Sequence, residues 1–390
     1  MPTVPVIHSK LPHVGTTIFT VMSRLAAEHG AVNLGQGFPD FSPSPELPEL
    51  VAKAMRAGHN QYAPMEGVVA LREQIAAKTE SLYGFAPDPL TEITVTSGGT
   101  EALYAAISAV IRPGDEAVVL EPCYDSYIPA IELNGGVAVR VPLSPGTYAI
   151  DWERLRQSIT PRTKLLLINT PHNPTGTILT AGDMRQLAAL LRDTDIFLVS
   201  DEVYEHIIFD EAPHWSALRE PALRERSFVV SSFGKTYHTT GWKLGYCVAP
   251  PALTREFRKV HQYLTFSSFT PVQYALAEYL QQPAHYLELP RFYGQKRDYF
   301  LKLMAQTRFR MLPCRGSYFA LASYAHLSEE PDYDFAVRLT QEAGVASVPV
   351  SVFYQDRTDH KILRFCFAKK EETLERAVER LLIQQGTNPL

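Results

Sequence analysis

Short apolar runs rich in β-branched residues recur through the first two-thirds of the chain, and helical patterns separate them. The runs are Ile93–Thr96, Ala117–Leu120, Val137–Val141, Leu165–Asn169, Ile196–Ser200 and Ser227–Phe233. Between them, stretches such as EALYAAISAVI and DMRQLAALLRD repeat apolar positions at the spacing of a helix with one buried face. Strands apolar on both sides, alternating with helices, predict an α/β fold with a mostly parallel sheet covered on both faces. Ahead of this region the pattern predicts helices over Thr17–Glu28, Leu50–Met55 and Val68–Ser81, with the Pro-rich FPDFSPSPELPEL between the first two. The α/β rhythm stops near Leu280. A long polar helix around Pro290–Ala305 and alternating strands near Tyr318–Leu321 and Leu363–Phe367 follow. These shifts predict a large α/β domain over residues 49–283 and a smaller α+β domain built from 1–48 together with 284–390.

Composition narrows the function classes. Of 390 residues, 45% are hydrophobic and 20% charged, enough to fill a globular core. A net charge of −5 argues against a general nucleic-acid binder, which needs a basic excess. No run approaches the 18 apolar residues of a membrane span. Prolines in MPTVPVIHSKLPHVG stand where an export signal needs an apolar helix. The cysteines at 123, 247, 314 and 366 form no CxxC pair, so neither a zinc framework nor a disulfide scaffold is expected, and a cytoplasmic setting fits.

Candidate chemistry lies where the strands end, the edge at which open α/β sheets bind ligands. Ile93–Thr96 runs into Ser97-Gly98-Gly99-Thr100 and a helix. Paired glycines there suit an anion on the helix N-terminus, or simply a tight turn. Leu165–Asn169 runs into TPHNPTG, where Pro171 and Pro174 constrain the backbone around Asn173. Ile196–Ser200 runs into Asp201-Glu202-Val203-Tyr204. An acid at a buried strand end needs a positive or donor partner, unless it is an ordinary helix cap. Ser227–Phe233 runs into Gly234-Lys235-Thr236. A lysine so placed is either matched, lowered in pKa as Schiff-base chemistry requires, or snorkelling to water. A P-loop is excluded because Val229 stands where its first glycine belongs, and GQGFPD lacks the third glycine of a dinucleotide fingerprint. An anion cradle, an asparagine, an acid, a tyrosine and a lysine at one sheet edge match the needs of pyridoxal 5′-phosphate.

With NLGQGFPDF, NQYAP, NTPHNPTG, SDEVYEH, SSFGKTYHTTGWKLGY and RFCFAKK in that order, the chain resembles the class I/II aminotransferases of the fold type I pyridoxal-phosphate enzymes. Within that family, SKLPHVGTTIFT and KVHQYLTF are similar to bacterial methionine aminotransferases, themselves similar to kynurenine and glutamine aminotransferases. The resemblance implies a seven-stranded sheet and a ping-pong transfer of an amino group between an amino acid and a 2-oxo acid, with methionine, aromatic amino acids or glutamine as donors. It implies that Lys235 forms a Schiff base with the cofactor and then shuttles a proton. Asp201 would pair with the ring nitrogen. Tyr204 and Asn173 would donate to the cofactor's phenolic oxygen, and Tyr124 would stack on its ring. The phosphate would rest on Gly99, Thr100, Ser232 and Lys243, the last standing where many relatives carry arginine. Tyr62 would reach the phosphate of the neighbouring subunit of a homodimer. Arg364 would fork onto the substrate carboxylate, with Leu363, Phe365 and Phe367 on the opposite strand face; the bland reading is a solvated arginine on an edge strand. Gly37 would let the backbone approach the substrate.

His172, His206 and His238 carry no metal-ligand spacing and are expected to make local hydrogen bonds. Cys123 shows no sign of activation. The run Tyr263–Phe269 reads as packing at a domain or subunit interface. Two other functions stay open: a carbon–sulfur β-lyase using the same cofactor, and a non-catalytic sensor domain. The sensor reading is disfavoured, since such regulators add a DNA-binding segment and the chain begins near the catalytic fold's own start.

Overall fold

The computed structural model describes residues 7–386; part of the N-terminal stretch read against an export signal, and both extremities of the smaller predicted domain, lie outside them. The strands are β1 (Val32–Asn33), β2 (Ile93–Thr96), β3 (Glu116–Glu121), β4 (Val137–Pro142), β5 (Thr163–Asn169), β6 (Phe197–Asp201), β7 (Ser227–Ser232), β8 (Gly245–Val248), β9 (Arg310–Met311), β10 (Phe319–Ser323), β11 (Val345–Ala346), β12 (Val348–Pro349) and β13 (Ile362–Cys366). Seven form one sheet in the order β2-β8-β7-β6-β5-β3-β4. Only β8 runs against its neighbours; every other pairing in the sheet is parallel. All six apolar runs are strands, and β8, not separated from its motif in the sequence, is the seventh.

Alternation along each strand explains why these runs are apolar throughout. Leu166, Ile168, Leu198 and Val229 pack into one core, on the side of the helix Val69–Tyr83. Leu165, Leu167, Val199 and Val230 pack into another, under the helix Gly99–Val110. Successive side chains point to opposite faces, so a sheet buried on both sides needs apolar residues at every position.

The helix expected from Leu50 begins earlier, at Glu46, inside the Pro-rich segment. Pro45 caps it and Pro48 lies in the first turn, where proline's missing N–H removes no helical bond. The long helix is Leu289–Met304. A four-stranded antiparallel sheet, β12-β13-β10-β9, follows. In a separate ladder β1 pairs with β11, and the Leu34 carbonyl accepts from Cys366 N–H (2.7 Å). The chain's two ends thereby place the loop after β1 against β13.

Candidate active site

Every predicted site residue except Tyr62 lines one cavity of about 280 Å³. Topology explains the convergence. The parallel strands β2, β5, β6 and β7 end at one edge and release Gly98-Gly99, Asn169, Asp201 and Ser232 there. Because β8 runs the other way, its beginning reaches that edge: Gly245 lies opposite both Thr96 and Ser232. Lys243 and Leu244, just before β8, therefore join the wall.

Asp201 forms the floor. Its carboxylate accepts from the Tyr127 hydroxyl (2.6 Å) and the Val203 N–H (3.2 Å). Burial raises the carboxyl to about 6 despite these donors and the Lys235 charge. An acid so placed suits a cationic N–H partner. Tyr127, three residues after Tyr124, was not singled out in the sequence; the second tyrosine of EPCYDSY was the only signal. Tyr204 is buried next to Tyr318, their rings edge to face with centroids 5.1 Å apart, and burial pushes its hydroxyl pKa up.

At the other end Gly98 has φ +86°, and a Cβ there would lie 3.5 Å from Lys243 Nζ. A Cβ on Gly99 would meet Val203 Cγ1 at 3.0 Å. Bare backbone thus opens the first turn of the helix Gly99–Val110, whose leading amides have no acceptor within the helix. Together with Ser232 and Lys243 this is a fit for a phosphate.

Lys235, half-buried in the wall, donates to the Gly37 carbonyl (3.3 Å). Burial lowers its amine to about 8; Lys243 and Arg364 push the same way, while Cys366 and Asp201 oppose. The Tyr318 hydroxyl also donates to the Gly37 carbonyl (2.6 Å). A Cβ at Gly37 would sit 2.7 Å from Phe319 Cζ, so the close approach that glycine permits here is to an aromatic wall. Tyr318 lies 281 residues from Gly37, and no sequence signal pointed to it.

Arg364 is 1% exposed, on a strand flanked by β10 and β12, so the solvated edge reading does not apply. It donates to Asn173 Oδ1 (2.7 Å) and to the Gly35 carbonyl (2.9 Å), and stacks 3.9 Å from the Phe319 ring centre. Among the described residues its Nε has no partner. Burial pulls the guanidinium down to about 10, which leaves it cationic at neutral pH. A buried cation with an unmet donor suits a carboxylate. Asn169, the first asparagine of NTPHNPTG and also unread in the sequence, accepts from Asn173 N–H (2.7 Å) and donates to the Asp201 carbonyl (2.9 Å).

Other candidates stay outside the chemistry. His172 Nδ1 bonds the Thr175 hydroxyl (2.7 Å), as expected, and burial lowers its imidazole to about 4. His206 and His238 each leave Nε2 without a hydrogen bond among the described residues and pack against rings, Tyr286 for the first, Phe41 and Tyr293 for the second. Burial pushes the Cys123 thiol up to about 12. Among the described residues no cluster could hold a metal ion, and no helix is long and apolar enough to cross a membrane. Tyr62 is 82% exposed and meets Phe266 edge to face. With Tyr263 and Phe269 they leave this face aromatic and open to solvent.

The chain is 54% identical to the methionine aminotransferase of Escherichia coli K12 over 96% of its length and 97% of the relative's. A solved Escherichia coli protein, YbdL, described as having a methionine aminotransferase function, superposes with a TM-score of 0.95 over 97% of this chain and 99% of that one. The N-succinyldiaminopimelate aminotransferase of Mycobacterium tuberculosis is 37% identical, with a TM-score of 0.93 over 97% of this chain and 100% of the other. Residues 30–381 match the family model for aminotransferases of class I and II, and the chain belongs to that family.

Proposed function

We propose that this aminotransferase holds pyridoxal 5′-phosphate in the cavity and uses methionine as its preferred amino donor to a 2-oxo acid, as a cytoplasmic homodimer. One observation carries the reading: a lysine of lowered pKa, a buried acid and a buried arginine with an unmet donor face a single cavity. Gly99, Thr100, Ser232 and Lys243 would hold the phosphate. Asp201 would hold the ring nitrogen, Tyr204 and Asn173 the phenolic oxygen, and Tyr124 the ring face. When bound, the cofactor supplies an aldehyde that receives the amino group and a ring that accepts the electron pair left on the substrate.

The protein's own groups then have distinct tasks. Arg364 holds the substrate carboxylate and so fixes where Cα sits. Lys235 Nζ would act as the base at Cα and would carry that proton across to the cofactor side of the transferred nitrogen. At pH 7, an amine with a pKa of about 8 is about one-tenth neutral, against roughly one part in three thousand at its ordinary value. Asp201 holds a proton on the ring nitrogen when its carboxyl is ionised. Phe19, Phe38 and Phe319 in the wall suit an unbranched thioether, because sulfur packs favourably against ring edges. Identity to a methionine aminotransferase supports the same choice. The four cysteines, all buried and none in a disulfide, support a reducing compartment.

Mixing the cofactor-loaded protein with single amino acids, without an oxo acid, tests the donor. Methionine is expected to give the highest kcat/KM for conversion of bound cofactor. A faster reaction with kynurenine, phenylalanine or glutamine removes the methionine preference. Pyruvate and thiol released from cystathionine faster than amino transfer identify a lyase. No conversion by any amino acid removes the transamination reading.

For the dimer, we expect sedimentation at twice the chain mass, with Tyr62 donating to the phosphate in the partner subunit. Tyr62→Phe is then expected to weaken cofactor retention about tenfold or more, the worth of a hydrogen bond to a charged group. Unchanged retention sinks this role.

A further inference from the structure

Behind the cavity wall lies a buried ionic cluster that the tasks above do not use. The chain leaves β6 through two successive turns, with Glu205 N–H on the Glu202 carbonyl (2.9 Å) and Ile207 N–H on the Tyr204 carbonyl (2.8 Å). Asp201 and Tyr204 line the cavity, while Glu202 and Glu205 do not. The Glu205 carboxylate accepts from Lys78 Nζ (2.8 Å), the Tyr246 hydroxyl (3.1 Å) and the Tyr83 hydroxyl. Lys78 also donates to the Tyr246 oxygen (2.8 Å) and lies 5.4 and 5.7 Å from the ring centres of Tyr246 and Tyr286. The Lys78 and Glu205 side chains are 5% and 2% exposed. His206 Nε2 lies 3.8 Å from Glu205. Glu202 is satisfied separately, by His214 (2.7 Å), the Ser200 hydroxyl (2.8 Å) and Ala217 N–H (2.9 Å). Desolvation alone would raise the Glu205 carboxyl, yet the Lys78 ammonium holds it well below the usual carboxylate range.

A buried pair of this kind adds little net stability over apolar side chains of equal volume. Its value lies in direction: each charge accepts partners only in a fixed geometry. Here the partners come from three elements. Lys78 and Tyr83 lie on the helix Val69–Tyr83, Tyr246 on β8, and Glu205 on the turn after β6. That turn starts from Asp201 and carries Tyr204, and β8 begins two residues after Lys243. The cluster thus joins the two ends of the proposed cofactor cradle from behind.

We propose that Lys78 and Glu205 are positioning residues that hold the Asp201–Tyr204 turn at a set spacing from Lys243, and so determine how tightly the cradle retains pyridoxal phosphate; this rests on the cofactor reading above. Lys78→Met leaves the Glu205 carboxylate buried without its cation. The turn must then shift toward water or neutralise, and Tyr204 loses its aim in either case. Lys78→Met with Glu205→Gln removes both charges and with them the force on the turn.

The test uses full-length protein stripped of cofactor and titrated with pyridoxal phosphate, followed by a pH titration of the bound cofactor's absorption. Wild-type protein that does not bind refutes the cofactor reading itself. Where wild type binds, Lys78→Met is expected to raise the dissociation constant at least about tenfold. The pH midpoint is expected to move in the same direction as in Tyr204→Phe. The double variant is expected to return to within about threefold of wild type. A Lys78→Met protein with wild-type dissociation constant and midpoint overturns the proposal, whatever its melting temperature. So does a double variant no better than the single one, since packing alone would explain that. Should Lys78→Met fail to fold, Tyr83→Phe removes one donor to Glu205 and no charge. A weakening of about threefold with a shifted midpoint supports the proposal, and no change in either overturns it.

Discussion

Lys235→Ala is expected to abolish amino transfer, by a factor of about 10⁴ or more, while leaving the fold intact. Two losses combine in this variant. The variant would lack the nitrogen proposed to join the cofactor, and with it the proposed base at Cα. The first removes covalent attachment: reductive trapping and peptide mapping of wild-type protein are expected to label Lys235, and the variant should carry no label. The second removes catalysis even when cofactor and substrate bind. Stability is expected to change little or to rise. Lys235 is half-buried, its only hydrogen bond among the described residues is a long one to the Gly37 carbonyl, and desolvation already lowers its amine, so its charge is poorly accommodated in the folded chain. The other donor to that carbonyl, the Tyr318 hydroxyl at 2.6 Å, remains in place. Turnover within about a hundredfold of wild type, or a label on a different amine, removes Lys235 from its role. Small exogenous amines give a second check. Partial rescue that rises with amine pKa is the signature of a missing base, and a collapsed site does not show it.

What was legible in the sequence follows from how the chain delivers each residue. Lys235, Asp201 and Gly99 stand at the ends of parallel strands or within three residues of them, and all parallel strands of a sheet end at one edge, so their convergence follows from position alone. Lys243 precedes a strand. It reaches that edge only because β8 is antiparallel, which its four residues of alternating size do not reveal; the family resemblance, and no strand-end rule, identified it. Arg364 was legible as a candidate but its burial was not. The alternation of Leu363, Arg364 and Phe365 is the same on an edge strand and an interior one, and only the pairing of β13 with both β10 and β12 encloses the guanidinium. Partners far apart in sequence were invisible. Tyr318 joins Gly37, and Lys78 joins Glu205 across 127 residues, by tertiary packing that no local pattern encodes. Tyr127 was within reach, since a second tyrosine three residues after Tyr124 stands close to it in space at a helix start.

Asp201→Asn is expected to separate function from stability, moving them in opposite directions. For function, this is the only carboxylate among the described residues that line the cavity, and a neutral amide could not hold a proton on the ring nitrogen of the proposed cofactor. Amino transfer should fall about 10²–10³-fold, the usual loss when one group that stabilises developing charge is removed. For stability the sign reverses. Burial raises the Asp201 carboxyl from its ordinary 3.8 to about 6 in the cofactor-free protein. A raised acid favours the folded state fully below 3.8, and that contribution is lost as the pH climbs through about 6. At pH 7 and above, the ionised carboxylate therefore costs the cofactor-free fold up to about 3 kcal/mol. Asparagine removes the charge; its single oxygen can keep the Val203 N–H, and its NH2 then faces the Tyr127 hydroxyl, which can turn to accept. The cofactor-free variant should melt higher than wild type at pH 8, with the gap closing toward pH 4. Cofactor binding should erase the difference, because the bound cation neutralises Asp201 in the wild type alone. A variant less stable than wild type at pH 8 would mean that Tyr127 and Val203 already satisfy the carboxylate, and would remove the need for a cationic partner there. A variant with undiminished turnover would remove Asp201 from the chemistry altogether.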